Sequence, residues 1–212
     1  LGLILVFIVL LLTMRPKVAI WVTLGIAIAF AGAFVFLPAN DVSLNFLSLF
    51  AFLLVLGVVV DDAIVVGESI HRQAHIEGGG VDTAIYGAQL VAKPVIYAVL
   101  TTMLAFVPWL FLTGQEVQVT RQLSIIIIAA LSFSLVESLL ILPAHLRKLY
   151  PRKHLGKMGK TQKVFADGIL SFAQNIYRPV AIKAVQHRYM TAAAFFAFLM
   201  ISFGIIASGW VK

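Results

Sequence analysis

Two carboxylates stand side by side in "GVVVDDAIVVGES", residues 57–69, within an apolar run that reaches back to Leu44. A charged Asp at the centre of a bilayer costs about 2.5–3.5 kcal/mol even on the gentler insertion scale. Asp61 and Asp62 together cost more, because like charges repel strongly in a poor dielectric. The chemistry that suits such a pair is proton binding: each proton taken up removes a charge and changes which helix contacts are favourable. The two groups are expected to titrate as one coupled unit that readily holds a proton. Neighbouring helix positions point about 100° apart, so the two carboxyls address different surroundings. A proton falling through ~100 mV releases about 2.3 kcal/mol, and each pH unit adds about 1.4 kcal/mol. That is enough to couple proton entry to helix movement. Two other readings compete: a polar packing pair hydrogen-bonded across helices, and intramembrane aspartyl proteolysis. The latter needs two Asp on different helices sharing a water, whereas these two are neighbours on one helix.

Glu137 is the third acid in an apolar run. It lies ten residues before Arg147, as Asp62 lies ten before Arg72, which puts both about 15 Å from the same membrane edge. It is either an interhelical polar contact or an accessory proton site. His71 and His75 are four apart on one helix face, but two His alone at an interface are a weak metal signal, and no metal or other cofactor is expected besides the proton. There is no Cys, which excludes disulfides and thiolate sites.

The elements that must hold these acids follow from composition. The chain has 212 residues, 61% hydrophobic and 12% charged, with a mean hydropathy of +1.02. A soluble domain is nearer 45–50% apolar and about 25% charged. Several apolar runs exceed the ~18 residues that mark a span, and no short alternating strands of a membrane barrel occur. The fold class is therefore an all-α membrane protein, a polytopic transmembrane helix bundle. Six spans are expected: one near 1–14, truncated or short, and five near 17–37, 42–70, 91–113, 121–146 and 189–210. Five fall in 1–146 and the sixth in 189–212. Between them, 147–188 reads as a basic loop followed by an amphipathic helix at 164–186, with Phe165, Ile169, Phe172 and Ile176 at helical spacing, lying on the cytoplasmic surface. Pro179 is expected to bend or end that helix.

Orientation follows from the basic residues. Alternating connections place 14 of the 16 Lys and Arg on one side and only Arg121 and Lys212 on the other. The first side is then cytoplasmic, and both ends face out. On this reading Lys93 and Arg121 sit near opposite ends of their spans. The +7 net charge serves topology, and no nucleic-acid partner is expected. Without an initiator Met or a signal-peptide pattern, the sequence reads as a piece of a larger protein. Gly25, Ala29 and Ala33, and Ala63 and Gly67, are spaced for close helix approach. Pro94, Pro108 and Pro143 mark kinks or ends, and Trp109 and Trp210 read as interface anchors.

At "GVVVDDAIVVGESIHR" the chain resembles the central helix of resistance-nodulation-division exporters, in the hydrophobe/amphiphile multidrug branch. The stretch "FVPWLFLTGQEVQVTRQLSIIIIAALSFSLVESLLILPAHL" is similar to that family's next two helices. The resemblance implies helices two to seven of a twelve-helix membrane domain, in a proton-driven multidrug exporter of the bacterial inner membrane and not an enzyme. Asp61 and Asp62 match the family's proton-relay aspartates. The metal-exporting branch usually pairs one Asp with Ala, so the double Asp favours drug export. Implied partners are membrane lipid, the second half of the same transporter, which carries the relay's Lys, Arg and Thr, and, for a homotrimeric parent, a periplasmic adaptor and an outer-membrane channel. The sequence departs from the family at Ser69, where many members carry Asn. The alternatives are a membrane assembly module without transport, or an exporter of lipid or metal on the same plan.

Overall fold

The computed structural model describes residues 2–112, 114, 117–148, 164 and 167–208. Among them every regular element is helical. The chain divides into two compact units, Leu1–Gly159 and Lys160–Lys212.

In the first unit α1 (Gly2–Thr13) leads into α2 (Pro16–Phe36), which starts on a proline placed where its missing N–H costs nothing. A short 3₁₀ turn, Pro38–Asn40, follows. Then comes α3 (Phe46–Glu77), opened by a capping box in which Asn45 Oδ1 accepts from the Ser48 N–H and Ser48 Oγ accepts from the Asn45 N–H. Gly78 and Gly80, both at positive φ, make the tight turn into α4 (Val81–Phe106). A 3₁₀ turn at Val107–Leu110 closes α4. α5 (Val117–Val136) runs through a π turn, Glu137–Ile141, into α6 (Leu142–Leu146).

Five of these helical stretches are long and apolar enough to cross a membrane: Pro16–Phe36, Phe46–Glu77, Val81–Leu110, Val117–Leu146 and, in the second unit, Arg188–Ala207. The first expected span, near 1–14, is the shorter apolar helix Gly2–Thr13, whose twelve residues reach about 18 Å.

The boundaries of α3 and α4 also differ from expectation. The apolar run of α3 fades after Ile70, yet the helix continues through His71 and Arg72 to Glu77. α4 begins ten residues before the expected 91, because Val81–Leu90 is amphipathic and too polar to register as a span. The two form one long antiparallel hairpin. They approach closely at Gly87, where an added Cβ would stand 2.7 Å from Ile70 Cα, and Ser69 Oγ donates to the Gly87 carbonyl at 2.6 Å.

The core lies where α2, α3 and α5 meet, around Val18, Val22, Ile26, Val59, Val66, Ile126 and Leu131. Gly25, Ala29, Ala33, Ala63 and Gly67 are all buried there, as the small-residue spacing predicts. Towards the far end Phe52 of α3 packs on Phe34 and Phe30 of α2, with centroids 4.4 and 5.2 Å away.

In the second unit the described part of 164–186 is helical from residue 167, through a π turn at Ala173–Tyr177, into α7 (Arg178–Gln186). α8 (Arg188–Ala207) follows a corner at His187, where Thr191 Oγ1 donates to the Ala184 carbonyl at 3.0 Å. Phe165, Trp210 and most of the basic loop lie outside the described residues.

Pro179 does not end its helix. A proline lacks its own N–H and presses on the carbonyl four residues earlier. Both π turns end two residues before a proline, Pro143 or Pro179, and contain that carbonyl, of Leu139 or Asn175. Widening the turn by one residue is how both helices continue. Pro94 lies within an unbroken α4 instead.

Candidate proton-binding site

Asp61 and Asp62 sit on successive positions of α3 and do face different surroundings. Asp62 is 7% exposed, and its Oδ2 is buried without a hydrogen-bond partner. Asp61 is exposed in this chain. A carboxyl oxygen buried without a partner is costly in an apolar setting. It is the kind of exception that calls for a role or a missing group.

The depth parity expected for Glu137 also appears, now from packing. An added Cβ on Gly67 of α3 would lie 3.1 and 3.3 Å from Val18 and Val22 of α2, and 3.9 Å from Leu142 of α6. That places Gly67 and Leu142 at one level. Asp62 and Glu137 each stand five positions before it on helices that run the same way. On α2, which runs the other way, the matching level is one turn past Val22, at Gly25. An added Cβ there would overlap the Glu137 carboxyl. Asp62, Gly25 and Glu137 thus share one level of the bundle.

Glu137 opens the π turn and is 4% exposed. The four-residue spacing marks Gly25 as a packing seam alone; the glycine is also the cradle that makes room for this side chain. Ser134, one turn earlier on α5, has a buried hydroxyl with no partner.

Lys93 corrects an expectation. It is not near the end of its span but well inside α4, about 18 Å from Val81. Given the Ser69–Gly87 crossing, the antiparallel register sets Lys93 within one turn of the level of Asp62. Among the described residues it forms no ion pair with the aspartates. Arg121, four residues into α5, is near a helix end as expected.

The two histidines lie at the hairpin end of the bundle. Their rings meet edge to face with centroids 4.9 Å apart. Arg15 donates to His75 Nε2, which occupies the lone pair a metal would need. Glu68 Oε2 lies 3.6 Å from His71 Nδ1. At the same end Trp21 stacks on His145 at 3.9 Å between centroids, and Lys17 Nζ donates to the Lys148 carbonyl at 2.9 Å. Ser69, the departure from the resembled motif, donates to the Gly87 carbonyl.

These features define a multi-pass helical membrane protein with acids buried at one level of the bundle. The chain belongs to the AcrB/AcrD/AcrF family, whose pattern covers residues 1–208; this is the resistance-nodulation-division group that the double-Asp helix resembles. It is 30% identical over 155 residues to the toluene efflux pump membrane transporter TtgE of Pseudomonas putida, covering 68% of this chain and 14% of that protein. To the swarming motility protein SwrC of Bacillus subtilis it is 29% identical over 199 residues, 90% of this chain and 18% of the relative. To the multidrug resistance protein MdtC of Salmonella heidelberg it is 35% identical over 153 residues, covering 69% and 14%. The chain spans less than a fifth of the length of these relatives.

Proposed function

We propose that the chain is part of a proton-driven exporter of drugs and other amphiphiles in a bacterial inner membrane, with Asp61 and Asp62 as its proton relay. The observation that carries this reading is the buried, unpartnered Oδ2 of Asp62 beside an exposed Asp61, in the middle of a membrane-length helix. Asp61 receives a proton from the outer side and Asp62 holds it away from water. With both groups neutral, α3 packs favourably among apolar helices; with a charge restored, it does not. The difference is a driving force for helix displacement, supplied by the proton gradient at about 2.3 kcal/mol per 100 mV.

Cargo selection belongs to other parts of the transporter, and the relay's cations to a second membrane half. The names of two relatives, a toluene efflux pump and a multidrug resistance protein, support an apolar or amphiphilic cargo. The placement of the basic residues supports a cytoplasmic hairpin end with both chain ends outside. A homotrimer working with a periplasmic adaptor and an outer-membrane channel is the assembly this reading implies.

The test is Asp61→Asn and Asp62→Asn, each in the full-length transporter. Each is expected to abolish drug resistance at unchanged membrane expression. Normal resistance in both variants would overturn the relay.

A further inference from the structure

We propose that Glu137 is a second proton-carrying carboxyl of the transporter, level with the Asp61–Asp62 pair but held by different elements, which takes up and releases one proton per cycle. This deepens the proton-driven reading and rests on it.

The site is built from three features. The first is enclosure: Glu137 is 4% exposed, and its carboxyl lies against the bare backbone of Gly25, where any Cβ would collide with it. The second is the backbone. Glu137 begins a π turn, a rare widening that recurs at functional positions. A widened turn can shift the side chains that precede it by changing register, without breaking the helix. The third is the buried, unpartnered hydroxyl of Ser134, one turn away on the same face. A serine hydroxyl donates to a carboxylate and accepts from a carboxylic acid, so it offers a partner in either state by a rotamer change.

Among the described residues no charged group of the packed elements forms an ion pair with Glu137. α2 contributes only Lys17, which bonds the Lys148 carbonyl at the hairpin end. α3 contributes the Asp61–Asp62 pair at the same level, with Glu68 and His71 paired further along. α4, which packs on α5 and α6, contributes Lys93, within one turn of that level but exposed and in no ion pair with Glu137 among the described residues. α5 contributes Arg121, close to its start, and α6 contributes His145, stacked on Trp21. A permanent carboxylate in this setting is costly. A permanently neutral group could as well be an amide. The arrangement is therefore suited to a group that changes state: an O–H bond forms on the carboxylate with a proton from the outer aqueous phase, and breaks to deliver it to the inner one.

The test uses the full-length transporter in liposomes with an imposed pH gradient and a fluorescent amphiphile as cargo. Glu137→Gln, Glu137→Asp and Gly25→Ala are compared with Asp62→Asn and the unaltered protein. Glu137→Gln is expected to lower gradient-driven transport by about tenfold, the equivalent of one pH unit. It should also remove one carboxyl C=O band from the pH-step infrared difference spectrum while the Asp bands remain. Glu137→Asp should restore part of the rate. Gly25→Ala, which pushes the carboxyl aside and keeps it ionisable, should shift the pH profile even if Glu137→Gln fails to fold. If Asp62→Asn is inactive while Glu137→Gln matches the unaltered protein in rate, pH profile and infrared bands, Glu137 is a structural contact and the proposal is overturned alone. If the unaltered transporter ignores a protonophore, the antiport reading falls and this one with it.

Discussion

Gly87 gives the most direct test of the packing that holds the acidic helix. A methyl group added there would meet Ile70 Cα at 2.7 Å and Ile70 N at 3.1 Å. Both are backbone atoms, so no rotamer change relieves the clash, and the hairpin must open by several tenths of an ångström. Overpacking of this kind costs about 1–3 kcal/mol. The opening also stretches the 2.6 Å bond from Ser69 Oγ to the Gly87 carbonyl, a class of contact worth about 0.6 kcal/mol in membrane proteins. Gly57, with nothing within 4 Å of an added Cβ, is the matched control. For a chain of this size each kcal/mol moves the melting temperature by about 2–4 °C. Gly87→Ala should therefore melt roughly 2–12 °C below the unaltered chain in a mild detergent. Ser69→Ala should fall about 1–3 °C, and Gly57→Ala should not fall at all. The double variant Ser69→Ala/Gly87→Ala should lose less than the sum, because one opening breaks both contacts. Gly87→Ala melting with Gly57→Ala, or strict additivity in the double variant, would refute this account of the hairpin.

Asp62→Leu should keep or raise thermal stability while abolishing export, since it replaces a buried oxygen that lacks a partner with apolar volume; a clear fall in melting temperature would show that Asp62 holds the fold. Asn45→Ala removes the acceptor of the α3 capping box and should cost about 1 kcal/mol, read as faster amide exchange confined to the first turn of α3. Unchanged exchange there would show that the box contributes nothing.

The bundle was legible in the sequence because membrane spans declare themselves by length and apolarity. What hid from it were departures from apolarity. Val81–Leu90 is helix but amphipathic, so the hydropathy signal began too late and placed Lys93 at a span end. Asp62 and Glu137 could be ranked at one depth by counting from Arg72 and Arg147, and packing around Gly67 and Leu142 agrees. The count could not reveal that Gly25 receives the Glu137 side chain, because a glycine at four-residue spacing reads the same whether it seats a helix or a carboxyl. Pro143 and Pro179 announced a disturbance. Its form, a widened turn and not a break, depends on the carbonyls of Leu139 and Asn175 finding other donors, which spacing alone does not encode.

The α3–α4 hairpin has a mechanical consequence. From Asp62 to Glu77 the helix is unbroken, a rigid arm of about 22 Å. It is closed by a tight glycine turn and stiffened along its length by contact with α4 at Gly87. A tilt of only about 5° pivoting at Asp62 would swing the tip by about 2 Å on that length. Angular changes too small to see at the acids are thus magnified at Gly78–Gly80, so a spin label or fluorophore on that turn would act as a pointer on the dial of the buried site.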